Sequence, residues 1–276
     1  MTAEPTPPWL TVRAGPAPLI LCMPHTGTEL PAQLAPRFAS AWLARRDTDW
    51  YVDRLYAFAG ELGASCVRTA ISRSVIDPNR DPSGASLYPG QATTELCPTT
   101  TFDGEPLYVP GAAPQAADVA ARTQAYFAPY HAAIAAQVRR LRARHPRVVL
   151  YDCHSIRSQI PRLFDGLLPN FNIGTFAGAS CDPALADAVE QACDVAGYSR
   201  IVNGRFKGGY TTRHYGRPAT GVHALQMELA CRGYLREAVG PVGPDNWPPP
   251  WDADFARPLT GILRRVLEAC LSFAER

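Results

Sequence analysis

Val148-Val149-Leu150-Tyr151-Asp152-Cys153-His154-Ser155 runs from four apolar residues straight into an acid, a thiol, an imidazole and a hydroxyl. Leu19-Ile20-Leu21-Cys22-Met23 leads in the same way into Pro24-His25-Thr26-Gly27. Apolar runs of four or five residues with punctuation around them predict buried strands of a sheet covered on both faces. In open α/β sheets, ligands sit beyond the carboxyl ends of the strands. Two imidazoles carried to that edge from distant parts of the chain predict the start of a metal site.

Working outward, strands are predicted at 19–23, 64–70, 74–76, 147–152 and 222–230, with a short one ending at Val202. Apolar spacing at Trp50, Leu55, Phe58, Ala59 and Leu62 predicts a helix over 47–62, entered at Asp47 or Asp49. Further helices are predicted over 115–144, kinked or broken near Pro129, over 182–196, where Asp182-Pro183 is a cap and first turn, and over 257–274. Residues 77–114 and 156–181 read as long loops, 204–221 as a glycine-rich loop and 240–252 as a proline-rich segment. Loops that long are usually functional. Strands alternating with helices predict an α/β fold around a mostly parallel sheet. No repeat or composition break divides the chain, so residues 1–276 are expected to form one domain.

The bulk numbers narrow the partners. At 276 residues and 46% hydrophobic content the chain can bury a sizeable core, and its formal net charge is +2. Near-neutrality, with no basic run interleaved with aromatics, argues against nucleic acid. No apolar stretch is long enough to span a membrane. Met1–Trp9 lacks the basic start and apolar core of a signal peptide. The eight cysteines are scattered, with no CxxC pair, which predicts a reducing, cytoplasmic setting. Lys207 is the single lysine, so anions are expected to meet planar guanidinium forks.

Several residues carry chemistry. His25 follows a strand, and Gly27 permits close approach of backbone or ligand. Asp152 and His154 alternate onto one side of their strand, so the acid can orient the second ring nitrogen. A catalytic zinc takes three protein ligands, often two histidines and a carboxylate. Asp47, Asp49, Asp53 and Glu29 are candidates for that carboxylate, with helix capping as the competing role of the aspartates. Glu228 lies inside the apolar run Val222–Ala230, where burial makes a carboxyl a proton shuttle. Gln226 shares its face, so a polar stripe at the sheet edge is also open. Arg73 and Arg80 flank Asp77-Pro78-Asn79 and can grip a carboxylate, with Asn79 as a neutral donor; turn chemistry is the plainer account. Arg205, Lys207 and Arg213 lie in a second cationic loop suited to anions. Ser155 has no G-x-S-x-G elbow and suits substrate contact better than nucleophilic attack.

Pro24-His25-Thr26-Gly27, Asp47-Thr48-Asp49-Trp50, Ser72–Arg80, Asp152–Ser158, Asn203–Gly216 and His223–Leu229 occur in the order that resembles N-formylglutamate amidohydrolase (N-formylglutamate deformylase), over about residues 19–235. That family resembles zinc carboxypeptidases and aspartoacylase. The resemblance implies a carboxypeptidase-like, phosphorylase/hydrolase-like fold, with a central mixed sheet between helices. It matches His25 and His154 to the metal imidazoles, Glu228 to the water-activating glutamate, and Asn79-Arg80 to a pair that holds a substrate carboxylate. Thr28 stands where carboxypeptidases carry the third ligand, so the Asp47–Trp50 match assigns Asp49, with Asp47 and Asp53 as alternatives.

The expected activity is hydrolysis of N-formyl-L-glutamate to formate and glutamate, a step of histidine breakdown by the same resemblance. Zinc or another divalent metal lowers the pKa of water, Glu228 moves the proton, and the metal with Arg80 or another arginine steadies the oxyanion. Two substrate carboxylates need two grips, one from Arg73 and Arg80, the other from Arg205, Lys207 or Arg213. Competing readings are a deacylase or carboxypeptidase acting on another acyl-amino acid, and a non-catalytic binder of acidic small molecules.

Overall fold

The computed structural model describes residues 6–86, 89–238 and 240–276; the first five residues of the Met1–Trp9 segment lie outside them. Its strands are β1 (Leu10–Arg13), β2 (Leu19–Met23), β3 (Ser65–Thr69), β4 (Val148–Ile156), β5 (Phe171–Gly174), β6 (Arg200–Val202) and β7 (Val222–Ala230). They form one mixed α/β sheet in the order β1-β3-β2-β4-β7-β5-β6. The pairs β2–β3, β2–β4, β4–β7 and β5–β6 are parallel, while β1–β3 and β5–β7 are antiparallel. The central strands β2, β4 and β7 are buried along their whole length because both sheet faces are covered.

Alternation sorts their side chains. Leu19, Leu21, Val149, Tyr151, Cys153, Leu225, Met227 and Leu229 join the core beneath two helices, Pro183–Ala192 and Ala253–Ala274. Ile20, Cys22, Val148, Leu150 and Ala224 pack on the other face against Tyr130, Ile134 and Leu141. Period-two alternation puts Asp152, His154, Gln226 and Glu228 on this second face, further along β4 and β7. The apolar face thus turns polar toward the carboxyl ends of the strands.

The helices depart instructively from expectation. In place of one helix over 47–62 there are α1 (Leu43–Arg46), α2 (Val52–Leu55) and a 3-10 turn (Ala57–Gly60). Asp49 donates its N–H to His25 O at 3.0 Å, and Tyr51 is left-handed at φ 61. Tertiary pinning to the end of β2 has overridden the local pattern, so Asp49 and Asp53 share no helix face. Asp53 pairs instead with Arg68.

The predicted strand at 74–76 is a turn closed by Val75 N–H to Ser72 O at 2.9 Å; Val75 and Ile76 are apolar because they fill a small core under the long loop. The run 115–144 is α3 (Ala116–Arg122), a π turn (Thr123–Phe127) and α4 (Ala128–Arg142). The π turn comes just before Pro129, which lacks an N–H to give. Asp182 caps α5 (Pro183–Ala192) through Ala184 N–H. The reputed loops at 156–181 and 204–221 contain β5 and α6 (Tyr210–Tyr215), too short to show a period. The last helix, α7 (Ala253–Ala274), starts before the predicted 257 because Asp252 caps it. No described helix is long and apolar enough to cross a membrane.

Candidate metal centre and active site

His25 lies two residues beyond β2, and the chain there passes against the segment after β3. A Cβ on Gly27 would stand 2.3 Å from Ile71 O and 2.4 Å from Ala70 C. The close approach foreseen for this glycine is therefore to backbone. Gly27→Ala is expected to cost about 1–3 kcal/mol by overpacking, read as a lower denaturant midpoint. An unchanged midpoint would show that the strand end can give way.

His154 and Glu228 are opposite one another in the β4–β7 register, and the Asp49 loop closes over them. His25 Nδ1 and His154 Nδ1 are 3.1 Å apart. Asp49 Oδ2 lies 3.1 Å from His154 Nδ1 and 3.6 Å from His25 Nδ1. All three residues are buried. Ligand atoms about 2.0–2.1 Å from a tetrahedral ion stand about 3.3 Å apart. The three edges fit that spacing.

Each imidazole is held from behind. His25 Nε2 meets Asp77 Oδ1 at 2.6 Å, and His154 Nε2 meets Asp152 Oδ2 at 3.0 Å. Carboxylates on both remote nitrogens select the tautomers that leave Nδ1 lone pairs facing inward. Asp49 Oδ1 is buried with no hydrogen-bond partner among the described residues. Two inward-facing imidazole nitrogens and a buried carboxylate oxygen without a hydrogen bond, approached by Arg73 Nη1 at 3.1 Å from His25 Nδ1 and 3.6 Å from Asp49 Oδ1, are donors a cation would satisfy. The residues fit a divalent metal.

The charge distribution agrees. Burial alone would push the Asp49 carboxyl up, but His25 and His154 outweigh it and hold Asp49 well below the usual carboxylate range. Burial likewise opposes ionisation of Asp77, and His25, Arg73 and Arg80 override it downward. Burial disfavours the His154 imidazolium, yet Asp152 and Asp49 together raise it well above the ordinary value. Glu228 goes the other way. Burial pushes its carboxyl up to about 8, against the downward pull of His154.

Glu228 Oε2 accepts from Gln226 Nε2 at 3.0 Å. A cleft opens above His25, His154 and Glu228. Arg73, Arg80 and Arg205 line it beside an apolar wall that includes Phe102, Leu163 and Phe206. Arg73 donates to Asp77 Oδ2 at 2.7 Å and sets Nη1 3.1 Å from His25 Nδ1. Arg80 is held by Thr94 O at 3.0 Å, and Arg205 by Ala92 O at 2.8 Å. Both guanidiniums thus brace against the Ala92–Thr94 segment.

Other candidates lie elsewhere. Lys207 is exposed and does not line the cleft. Arg213 stays outside it, over the Phe176 ring at 4.7 Å. The backbone of the glycine-rich loop turns both away, so of the three cationic candidates there it is Arg205 that the fold delivers. Ser155 is buried below the centre. Its N–H donates to Asp49 Oδ2 at 3.2 Å and its Oγ accepts from Tyr234 at 2.8 Å, so it supports Asp49 and does not face the cleft. Asp47 accepts from Phe102 N–H at 2.7 Å, and Glu29 is exposed; neither joins the histidines.

Asn79 does line the cleft, but its amide is engaged. Oδ1 accepts from Thr211 N–H at 2.8 Å, and Nδ2 donates to Asp152 Oδ2 at 3.0 Å. The part of Asp77 in orienting His25 was hidden inside turn chemistry, and a turn aspartate has no local signal to mark it. Asp152 was visible through strand alternation. The packing of Phe102 on Arg73, with the guanidinium 4.7 Å above the ring, joins loops with no pattern in common.

A profile of the family described as N-formylglutamate amidohydrolase matches residues 17–235. The chain is 46% identical over 267 residues to the N-formylglutamate deformylase of Pseudomonas aeruginosa, covering 96% of this chain and 97% of that protein. It is 44% identical over 269 residues to the N-formylglutamate deformylase of Pseudomonas putida, covering 97% of each. A crystal structure of N-formylglutamate amidohydrolase from Ralstonia eutropha JMP134 is similar with a TM-score of 0.75 and 25% identity, covering 96% of this chain and 97% of that one. An Agrobacterium tumefaciens protein, 19% identical with a TM-score of 0.71, covers 97% of this chain and 96% of its own and shares the fold. With most of its length matched by the profile and by close relatives, the chain belongs to the N-formylglutamate amidohydrolase family.

Proposed function

We propose that the chain hydrolyses the formamide bond of N-formyl-L-glutamate, giving formate and glutamate. The observation that carries this is the convergence of His25 Nδ1, His154 Nδ1 and the Asp49 carboxylate at 3.1–3.6 Å beside Glu228. Zinc is the metal we assign, since two imidazoles and a carboxylate are a common catalytic zinc set. Held by these three residues, it supplies Lewis acidity that acidifies water and polarises the formyl oxygen.

The chain's own residues do the rest. Glu228 takes the proton as water oxygen bonds to the formyl carbon. It returns that proton to nitrogen as the C–N bond breaks, so formate and a free amine leave. Arg73, beside the ligand triangle, adds positive charge where the oxyanion develops. Arg80 and Arg205 both line the cleft and suit the two substrate carboxylates. The aromatic wall excludes water around them. We take the whole chain as one catalytic domain. All eight cysteines are free thiols, which suits a reducing cytoplasm, and the resemblance would place the step in histidine breakdown.

Formate release from a panel of N-formyl amino acids tests this reading. N-formylglutamate should be turned over far faster than an analogue with an uncharged side chain. Arg205→Met is expected to raise KM for N-formylglutamate by roughly 10–100-fold, the worth of one charge-assisted hydrogen-bond pair, with a smaller change in kcat. Equal turnover of charged and uncharged analogues by the unaltered enzyme would end the assignment.

A further inference from the structure

Two buried amide side chains tie one backbone segment to the catalytic groups in the same manner. Thr211 N–H donates to Asn79 Oδ1 at 2.8 Å, which fixes that amide so that Nδ2 faces Asp152. Gly209 N–H donates to Gln226 Oε1 at 2.8 Å, which fixes that amide so that Nε2 faces Glu228. An amide presents an acceptor at one end and donors at the other, so a backbone N–H on its oxygen dictates where its NH₂ points. The fit is tight. A Cβ on Gly209 would lie 2.3 Å from Asn79 Nδ2, so a residue with a side chain there would displace the amide.

We infer that the Gly209–Thr211 segment is a latch that aligns the catalytic groups through two positioning residues. Asn79 Nδ2 lies 3.0 Å from Asp152 Oδ2 and 2.9 Å from His154 Nε2, so it acts on the His154 ring both directly and through Asp152, and Gln226 acts on the Glu228 carboxylate. Asn79 therefore serves the metal shell, in place of the carboxylate grip that the family resemblance implied for it. An outer-shell partner of this kind is worth roughly 10–100-fold in metal affinity or activity. Asn79→Ala removes one arm of the latch and Gln226→Met the other. The kinetic arm of the test rests on the deformylase reading, while the metal and exchange arms do not.

The test compares Zn²⁺ affinity by chelator competition, amide hydrogen exchange at residues 209 and 211, and kcat and KM at saturating metal. Asn79→Ala should weaken Zn²⁺ binding by roughly 10–100-fold. It should speed exchange at Thr211 and lower kcat, leaving KM within about 3-fold. Gln226→Met should lower kcat by roughly 10-fold and speed exchange at Gly209, with Zn²⁺ affinity unchanged. In the unaltered protein, Zn²⁺ should slow exchange at Thr211, a reading that needs no variant to fold. If Asn79→Ala instead raises KM 10-fold or more while kcat, metal affinity and Thr211 exchange hold, Asn79 grips substrate and the latch is wrong. Thr211 exchange insensitive to Zn²⁺ in the unaltered protein would overturn it equally. If the protein lacks deformylase activity, the affinity and exchange results still decide the coupling.

Discussion

Chelation to verified metal loss is expected to abolish formate release, by roughly 10³-fold or more, since Lewis-acid stabilisation worth several kcal/mol goes with the ion. One equivalent of Zn²⁺ should restore it. His25→Ala and Asp49→Ala should each mimic chelation and resist rescue, because a three-ligand site cut to two no longer encloses the ion. The binding should also be pH-dependent with a definite sign. The imidazolium of His154 is raised well above its ordinary value by Asp152 and Asp49, against the opposing effect of burial. A proton therefore competes for His154 Nδ1, and the metal must displace it. Apparent Zn²⁺ affinity should rise with pH through the neutral range, with proton release on binding. Full turnover in protein shown to be free of metal would remove the metallohydrolase reading altogether.

The elements that define the sheet were plain in the amino-acid sequence wherever burial was two-sided. The runs at 19–23, 147–152 and 222–230 are mostly apolar with few breaks, and all three became central strands. His25, His154 and Glu228 were legible for the same reason, being polar residues at or inside runs with no place for an unpaired charge. Asp49 was a different matter. The predicted helix over 47–62 held it together with Asp53, yet a hydrogen bond from its N–H to His25 O at 3.0 Å, a link across the fold, pulls it out of any helix. Nothing local encodes that link. The same holds for Asp77 and Asn79, whose Asp-Pro-Asn context is sufficient for a turn. Their partners lie 52 and 132 residues away at His25 and Thr211. The two cationic loops were found by composition, but composition does not say which arginine faces inward. The brace of Arg205 on Ala92 O, 113 residues distant, settles that through tertiary contact.

Glu228→Gln is expected to bind Zn²⁺ normally and to lose kcat by roughly 10²–10⁴-fold, the usual contribution of a positioned acid–base group. The substitution keeps shape and leaves an acceptor for the Gln226 amide, so KM should move little. Its pH behaviour supplies an independent check. Burial raises the Glu228 carboxyl from an ordinary 4.5 to about 8 in the protein alone. The cation adds positive charge nearby and favours the carboxylate, so the acid limb of kcat/KM should have its midpoint below 8 in the loaded enzyme and vanish from the residual activity of the variant. Stability carries the same sign. Between about 4.5 and 8 the folded chain holds a proton that the unfolded chain has released. Stability contributed by this group therefore falls as pH rises through that window. Chelated wild-type protein should lose more stability than chelated Glu228→Gln between pH 6 and pH 8, measured by denaturant midpoint. Parallel pH dependence in the two proteins, together with an intact acid limb in the variant, would take Glu228 out of the proton transfer and hand that task to another group in the cleft.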